Sequence, residues 1–294
     1  MPASNGVKVV AIAGAGQVGG PLLEDFLSAG IPTKLLTRDA SKPELAKYKS
    51  QGAELITVDY SSLESLQAAL SGVDAVISTL SSSTGEDVQT TLAKAAKAAG
   101  VKLFLPTEFG LDYDKALPLH PFTQDKPKFV ETLKELKLPY FLITNSLFAE
   151  FIIHPIWGFD VPNRKFPLPI KSDAKFSYTA LADIATFTRL SVLYRPIPQP
   201  GQGERIKVES GRATFDQLLA QGEKLDGKKW SITRKTDFSK DEENAKQPDI
   251  HGFAAWVAAR IGDSSGLHER VDHDAVGFKP KVTFEDVLKK QLAA

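Results

Sequence analysis

An apolar run at residues 7–13 leads straight into Gly14-Ala15-Gly16-Gln17-Val18-Gly19, and a helical apolar stripe follows at once. Few arrangements constrain a fold more. In a strand–loop–helix unit the three glycines permit a tight turn, close approach of a pyrophosphate to the backbone, and close packing of helix on strand. The helix N-terminus then faces the phosphates. Glycine triplets also occur at ordinary turns. This one is set apart by the strand before it, by the amphipathic helix after it (Val18, Leu22, Leu23, Phe26, Leu27, closing at Gly30), and by the strand–helix units downstream. The loop is read as a dinucleotide site.

Those downstream units place strands at 34–37, 55–58, 75–78, 103–105 and 140–143, with helical stretches between them. Ser61 and Glu64 read as a capping box before the stripe Leu63, Leu66, Leu70, stopped by Gly72, and an alanine-rich helix spans 86–99. Alternation of this kind predicts an α/β fold, a doubly wound parallel Rossmann sheet. After residue 155 prolines crowd at 162, 167, 169, 196, 198 and 200 and the period becomes irregular. The expected division is a dinucleotide-binding domain at 1–155 and a smaller α/β substrate lobe at 156–294, some of it packing back on the first domain. Within the lobe the pattern predicts helices near 180–193, 214–225, 250–261 and 284–292, and strands near 175–178 and 205–209.

Composition narrows the partners. Thirty-six basic residues balance thirty-six acidic ones, so no long-range field favours nucleic acid or an anionic membrane. The chain has no cysteine, which excludes disulfides and thiolate chemistry. The most apolar stretch, 140–159, is interrupted by Thr144, Asn145, Glu150, His154 and Pro155, short of the ~20 apolar residues a membrane span needs. The start, one lysine before an apolar run that turns into a glycine loop, does not match a cleaved signal peptide. The expected setting is the cytoplasm and the expected partner a small molecule, with monomer and homodimer both open.

The end of the second strand discriminates between the two nicotinamide dinucleotides. An acidic residue there bonds a ribose 2′-hydroxyl, and an arginine accommodates a 2′-phosphate. Here Arg38 comes first after the strand, with Thr37 as a hydroxyl donor and Lys42 close by, which favours NADP through charge-assisted bonds. Asp39 keeps NAD in play.

The chemistry is less plain. None of Tyr48, Tyr60, Tyr113, Tyr140, Tyr178 and Tyr194 has a lysine four residues later, the pair short-chain dehydrogenases use. Hydrolase elbows and His-Glu-x-x-His zinc motifs are absent, and His268 and His273 read as solvated histidines in a charged loop, so no metal is expected. One lysine stands out. Thr123 can cap a helix whose first turn holds Pro127 and whose apolar stripe is Phe129, Val130, Leu133 and Leu136. Lys126 extends that stripe, whereas Lys128 and Lys134 lie off it. An inward lysine at a helix N-terminus is expected to lose basicity and become useful for proton transfer, unless it snorkels to water.

These residues resemble the isoflavone reductase-like, or NmrA-like, branch of atypical short-chain dehydrogenases. Phe104-Leu105-Pro106-Thr107-Glu108-Phe109-Gly110 is similar to that family's F-x-P-S-E-F-G element, with threonine for serine. Lys126 precedes Pro139-Tyr140 by thirteen residues, the spacing of the family's catalytic lysine. Ala174-Lys175-Phe176-Ser177-Tyr178 and Ala182-Asp183-Ile184 resemble its T-K-F-S-Y and A-D-I-G stretches. The departures are Ala13 in place of the family's first loop glycine, and Thr144-Asn145-Ser146-Leu147-Phe148 followed by Glu150 after the sixth strand.

The resemblance implies an NADPH-dependent reductase of an aromatic or conjugated, phenylpropanoid-like molecule, with Lys126 moving the proton. It implies NADP(H) held by Gly14, Gly16, Gln17, Val18, Gly19, Thr37, Arg38 and Lys42, by Ser78, Thr79 and Leu80 after the fourth strand, by Pro106, Thr107, Glu108 and Phe109 after the fifth, and by Lys126, Asn145, Leu147 and Phe148. Phe109, Phe148, Phe151, Ile152, His154 and Trp157 are the candidate substrate-lining residues. The competing reading is a non-catalytic NADP(H)-sensing protein that binds a protein partner.

Overall fold

Residues 3–81, 86–152, 154–155, 159–160, 163–168, 173–234, 237 and 240–293 are described by a computed structural model of the chain. Strands β1 (Val10–Ala13), β2 (Thr33–Thr37), β3 (Glu54–Thr57), β4 (Ala75–Ser78), β5 (Leu103–Leu105) and β6 (Tyr140–Thr144) lie parallel. The chain later returns to add β10 (Gly203–Lys207) beside β6, giving the order β3-β2-β1-β4-β5-β6-β10. Winding starts at β1, runs outward to β3, then crosses to β4. The switch between β1 and β4 is where open α/β sheets bind their ligands.

All four residues of β1 are buried, because helices cover both faces. Val10 and Ile12 join Leu22, Leu23 and Phe26 of α1 (Gly19–Ser28) and Phe187 and Leu190 of α6 (Leu181–Tyr194) in one core. Ala11 and Ala13 point the other way, into a core with Leu66 of α3 (Leu63–Ala69), Leu92 of α4 (Glu86–Ala98) and Phe129 and Leu133 of α5 (Lys126–Glu135). A short α2 (Ala46–Ser50) buries Tyr48 against the first core. Thus α6 and β10, both beyond residue 155, help build the sheet domain.

The third core lies over the carboxyl end of the sheet. It gathers β7 (Leu147–Phe148), β9 (Phe176–Thr179) and β11 (Gly211–Ala213) in one small sheet and β8 (Lys165–Leu168) with β12 (Ser231–Arg234) in another. Helices α7 (Phe215–Asp226), α8 (Asp241–Asn244), α9 (Ile250–Gly262) and α10 (Phe284–Ala293) complete this part. Phe166, Phe176, Phe215, Trp256 and Phe284 fill its interior.

Several local expectations change. Ser62, not Ser61, caps α3 by accepting the Ser65 amide, since Ser61's hydroxyl is drawn to the Asp59 carboxylate at 2.6 Å. Thr123 does not cap α5; its hydroxyl donates to the His120 carbonyl at 3.0 Å, and Asp125 is the N-cap residue without a side-chain bond. His268 is not solvated. It is 2% exposed, and burial together with nearby Lys207 brings its pKa down to about 4. His273 is half-buried, its Nε2 accepting the Glu209 amide at 3.2 Å. Pro167 sits inside β8, tolerated because a two-stranded sheet consists of edges. Among the described residues no cluster of three or more His, Asp or Glu could hold a metal ion, and no helix is long and apolar enough to cross a membrane.

Candidate active site

Each loop glycine answers a different physical demand. Gly14 has φ +96°, a conformation side chains disfavour. A β-carbon on Gly19 would lie 2.2 Å from the Gly14 carbonyl oxygen and 2.5 Å from Thr79 Oγ1, so helix and strand ends touch there. Gly16 has nothing within 4 Å of an added β-carbon; its open side is the space a pyrophosphate needs. Thr79 closes the turn by donating to the Ala13 and Gly14 carbonyls, both at 3.0 Å. Gln17 is exposed, Val18 and Leu80 are half-buried, and Ser78 is fully buried, its hydroxyl without a partner among the described residues.

At the end of β2, Arg38 is exposed and Thr37 half-buried. The Asp39 carboxylate is turned onto Ser41, accepting its hydroxyl at 2.6 Å and its amide at 2.8 Å, bonds that hold its pKa below the ordinary value. Arg38 therefore projects without Asp39 as a counter-ion. Lys42 is 4.0 Å from Glu44.

Lys126 opens α5 with its side chain 13% exposed. Its Nζ donates to the Thr107 carbonyl, stands 4.0 Å from Glu108 Oε1, and lies 4.6 Å from the centre of the Tyr113 ring. Burial drives its pKa below the usual lysine value; Glu108 opposes that fall and Arg205 reinforces it. A tight turn, with the Glu108 amide donating to the Pro106 carbonyl at 2.7 Å, brings buried Glu108 inward.

Edge strand β10 supplies what sequence reasoning missed. Arg205 and Lys207, two residues apart, share one face. Arg205 bonds Glu108 and Thr144 Oγ1, each at 3.2 Å, Asp114 at 3.0 Å, and stands 3.3 Å from Asp112. Lys207 donates to Asp112. Burial alone would raise Asp112, but the Lys207 bond and the Arg205 charge hold it below the usual carboxylate range. The available signal was alternation: Glu204-Arg205-Ile206-Lys207 sets cations at period two, and Asp112 and Asp114 show the same step.

Beyond the glycine turn lies a cavity of about 590 Å³. Gln17 reaches its wall, as do Phe109, Leu147, Phe148, Phe151, Ile152 and His154 from the candidate set. Trp157 lies outside the described residues. The opposite wall was not foreseen: Ile250, Phe253, Trp256, Val257 and Ile261 of α9, with Tyr113 and Gly110 from the loop after β5. An apolar helix placed in the second lobe was the available signal. Buried Asn145 pins β6 to that loop, its amide and that of Ser146 donating to the Gly110 carbonyl at 3.1 and 2.9 Å. Lys126 does not line this cavity. It borders a smaller one of about 300 Å³ with Glu108, Asp114 and Arg205, and the Tyr113 side chain is common to both walls.

A doubly wound sheet, a glycine turn with an open phosphate side, and an apolar cavity next to that turn define a Rossmann-type protein with a small-molecule cavity over its sheet. The chain belongs to the NmrA-like family, whose sequence model matches residues 6–244. An isoflavone reductase homologue of Nicotiana tabacum is 33% identical over 205 residues, 65% of this chain and 66% of that protein. The match thus spans just under two thirds of that relative's length. Among solved structures, one from a study of pinoresinol-lariciresinol and phenylcoumaran benzylic ether reductases superposes with a TM-score of 0.82 at 23% identity, covering 97% of this chain and 98% of that one. Leucoanthocyanidin reductase of Vitis vinifera, solved as a binary complex with NADPH, gives 0.77 at 22% identity, covering 97% and 100%. These two likenesses establish the fold.

Proposed function

We propose that the chain is an NADPH-dependent reductase of aromatic or conjugated small molecules of the phenylpropanoid kind. The observation that carries this is contiguity: Gln17 of the glycine turn forms part of the wall of an aromatic-lined cavity of about 590 Å³, within the range of small-molecule sites. The reductases among its relatives and structural neighbours support it. Residues 1–155 carry the nucleotide site and residues 156–294 the substrate lobe, apart from α6 and β10, which complete the first core.

In this reading Gly14 makes the turn, its own amide donating to the Leu36 carbonyl at 3.1 Å, while the backbone amides at Gly16 and Gly19 and the α1 N-terminus bind the pyrophosphate, and Arg38, Thr37 and Lys42 hold the 2′-phosphate. Bound there, the cofactor supplies hydride from nicotinamide C4. Ser78, Thr79, Leu80, Pro106, Thr107, Glu108, Phe109, Asn145, Leu147 and Phe148 line its path along the strand ends. Phe109, Phe148, Phe151 and Ile152 exclude water from the substrate and orient its ring. Lys126, tethered to the Thr107 carbonyl and made less basic by burial, gives or takes the proton that accompanies hydride transfer. A nucleotide-sensing protein without turnover is the second reading, favoured by one observation: Lys126 borders the smaller cavity and not the larger.

Nucleotide fluorescence with NADPH and NADH, followed by NADPH consumption on a panel of propenyl phenols, lignans, isoflavones and enones, tests the proposal. Tighter binding of NADPH and consumption that is lost in Lys126→Met are expected. Tight NADPH binding with no consumption across the panel would leave the sensing reading.

A further inference from the structure

Tyr113 is 5% exposed, yet its hydroxyl oxygen is not sealed from solvent and makes no hydrogen bond among the described residues. The hydroxyl lies against Gly110, where an added β-carbon would come within 2.6 Å of it, and Gly110 is on the wall of the large cavity. The ring lies 6.3 Å from Trp256, another wall residue, at an interplanar angle of 12°, and carries the Lys126 ammonium over one face at 4.6 Å. Other polar groups on that wall are few. Ser146 is committed to the Gly266 carbonyl at 2.6 Å, and His154 packs edge-on against Phe151.

An apolar cavity gains orientation from a small number of placed polar groups. We propose that the Tyr113 hydroxyl is the specificity-determining donor of this cavity: it hydrogen-bonds an oxygen of the aromatic substrate, a phenol, ether or carbonyl, and so fixes the orientation of the substrate ring. Burial, aided by the nearby Glu108 charge, pushes the Tyr113 phenol above its ordinary pKa, so it stays protonated and donates. Its ring also separates the substrate cavity from the polar one holding Glu108 and Arg205. The inference rests on the reading of the large cavity as the substrate site.

Calorimetric binding of three probes to the full chain tests it: 4-propylphenol, its methyl ether, and propylbenzene. With a donor on the wall, the phenol and the ether, which both accept, bind about five-fold more tightly than propylbenzene, the worth of one neutral hydrogen bond. Tyr113→Phe then loses about five-fold for the two oxygenated probes and nothing for propylbenzene, whose retained binding also reports an intact cavity. Equal affinities for all three probes in the wild type, or a Tyr113→Phe loss shared by propylbenzene, would overturn the assignment. Failure of every probe to bind the wild type would remove the cavity reading and the Tyr113 assignment with it.

Discussion

Arg205→Gln removes a guanidinium from among buried carboxylates, and the geometry sets the consequence. The Glu108 and Asp112 side chains it engages are 3% and 6% exposed, whereas that of Asp114 is 71% exposed. The Asp114 pair is screened by water and contributes about 0–1 kcal/mol. Removing one partner of a buried pair costs about 3–5 kcal/mol, because the other charge is left without compensation. Two counter-charges remain here: Lys126, 4.0 Å from Glu108, and Lys207, bonded to Asp112. The expected loss is therefore at the low end, about 3 kcal/mol. Urea unfolding at neutral pH measures it as a fall in midpoint at unchanged slope. Asp114→Asn, which touches only the exposed arm, is the control and should lose less than about 1 kcal/mol. If Arg205→Gln costs no more than that control, the cluster is not held by the guanidinium and the reasoning fails. A second consequence concerns Lys126. Burial is the main cause of its lowered pKa and Arg205 a further one, so its ionisation in Arg205→Gln should move upward, observable by NMR of the lysine side chain.

Other expectations are as direct. Gly16→Ala meets no protein atom within 4 Å, so it should keep wild-type stability and lose NADPH affinity; Gly19→Ala drives a β-carbon to 2.2 Å from backbone oxygen and should lose about 1–3 kcal/mol of stability as well. A Gly16→Ala protein that binds NADPH like the wild type would show that the pyrophosphate lies elsewhere. Arg38→Ala should weaken NADPH about ten-fold or more and leave NADH unchanged, given about 1.5–3 kcal/mol for a bond to a charged group; equal losses for both would contradict the 2′-phosphate assignment. Lys126→Met should abolish turnover and also change the pH dependence of stability. The wild-type lysine has a folded pKa below its ordinary 10.5, so between those two values the unfolded chain holds more protons and stability rises with pH. Melting curves followed downward in pH from 10.5 should show that slope in the wild type and not in Lys126→Met, and parallel curves would mean that Lys126 is not desolvated.

Much of the sheet domain was legible because its signals are local. Strands β4 and β5 stand where apolar runs predict them, and the stops at Gly30 and Gly72 carry φ of +70° and +73°, which side chains disfavour. Lys126 was legible too, since it sits on the period of Phe129 and Leu133. Its surroundings were not. Glu108 and Tyr113 come from one loop and Arg205 from a strand far along the chain, and only the pairing of β10 with β6 brings them together. Strands β8 and β12 escaped notice because each is four residues long and one contains a proline. The α3 cap moved by one residue because Asp59 competes for the Ser61 hydroxyl, a local contest that residue type alone does not settle.

The most direct test of reductase function follows the hydride itself. NADPH deuterated at C4 is incubated with the full chain and each compound of the aromatic panel, and the products are read by mass spectrometry, with Lys126→Met in parallel. A product carrying one deuterium at carbon, formed by the wild type and lost in the lysine variant, is the expected result. Saturable NADPH binding with no deuterium in any product, or transfer that is indifferent to Lys126, would contradict it.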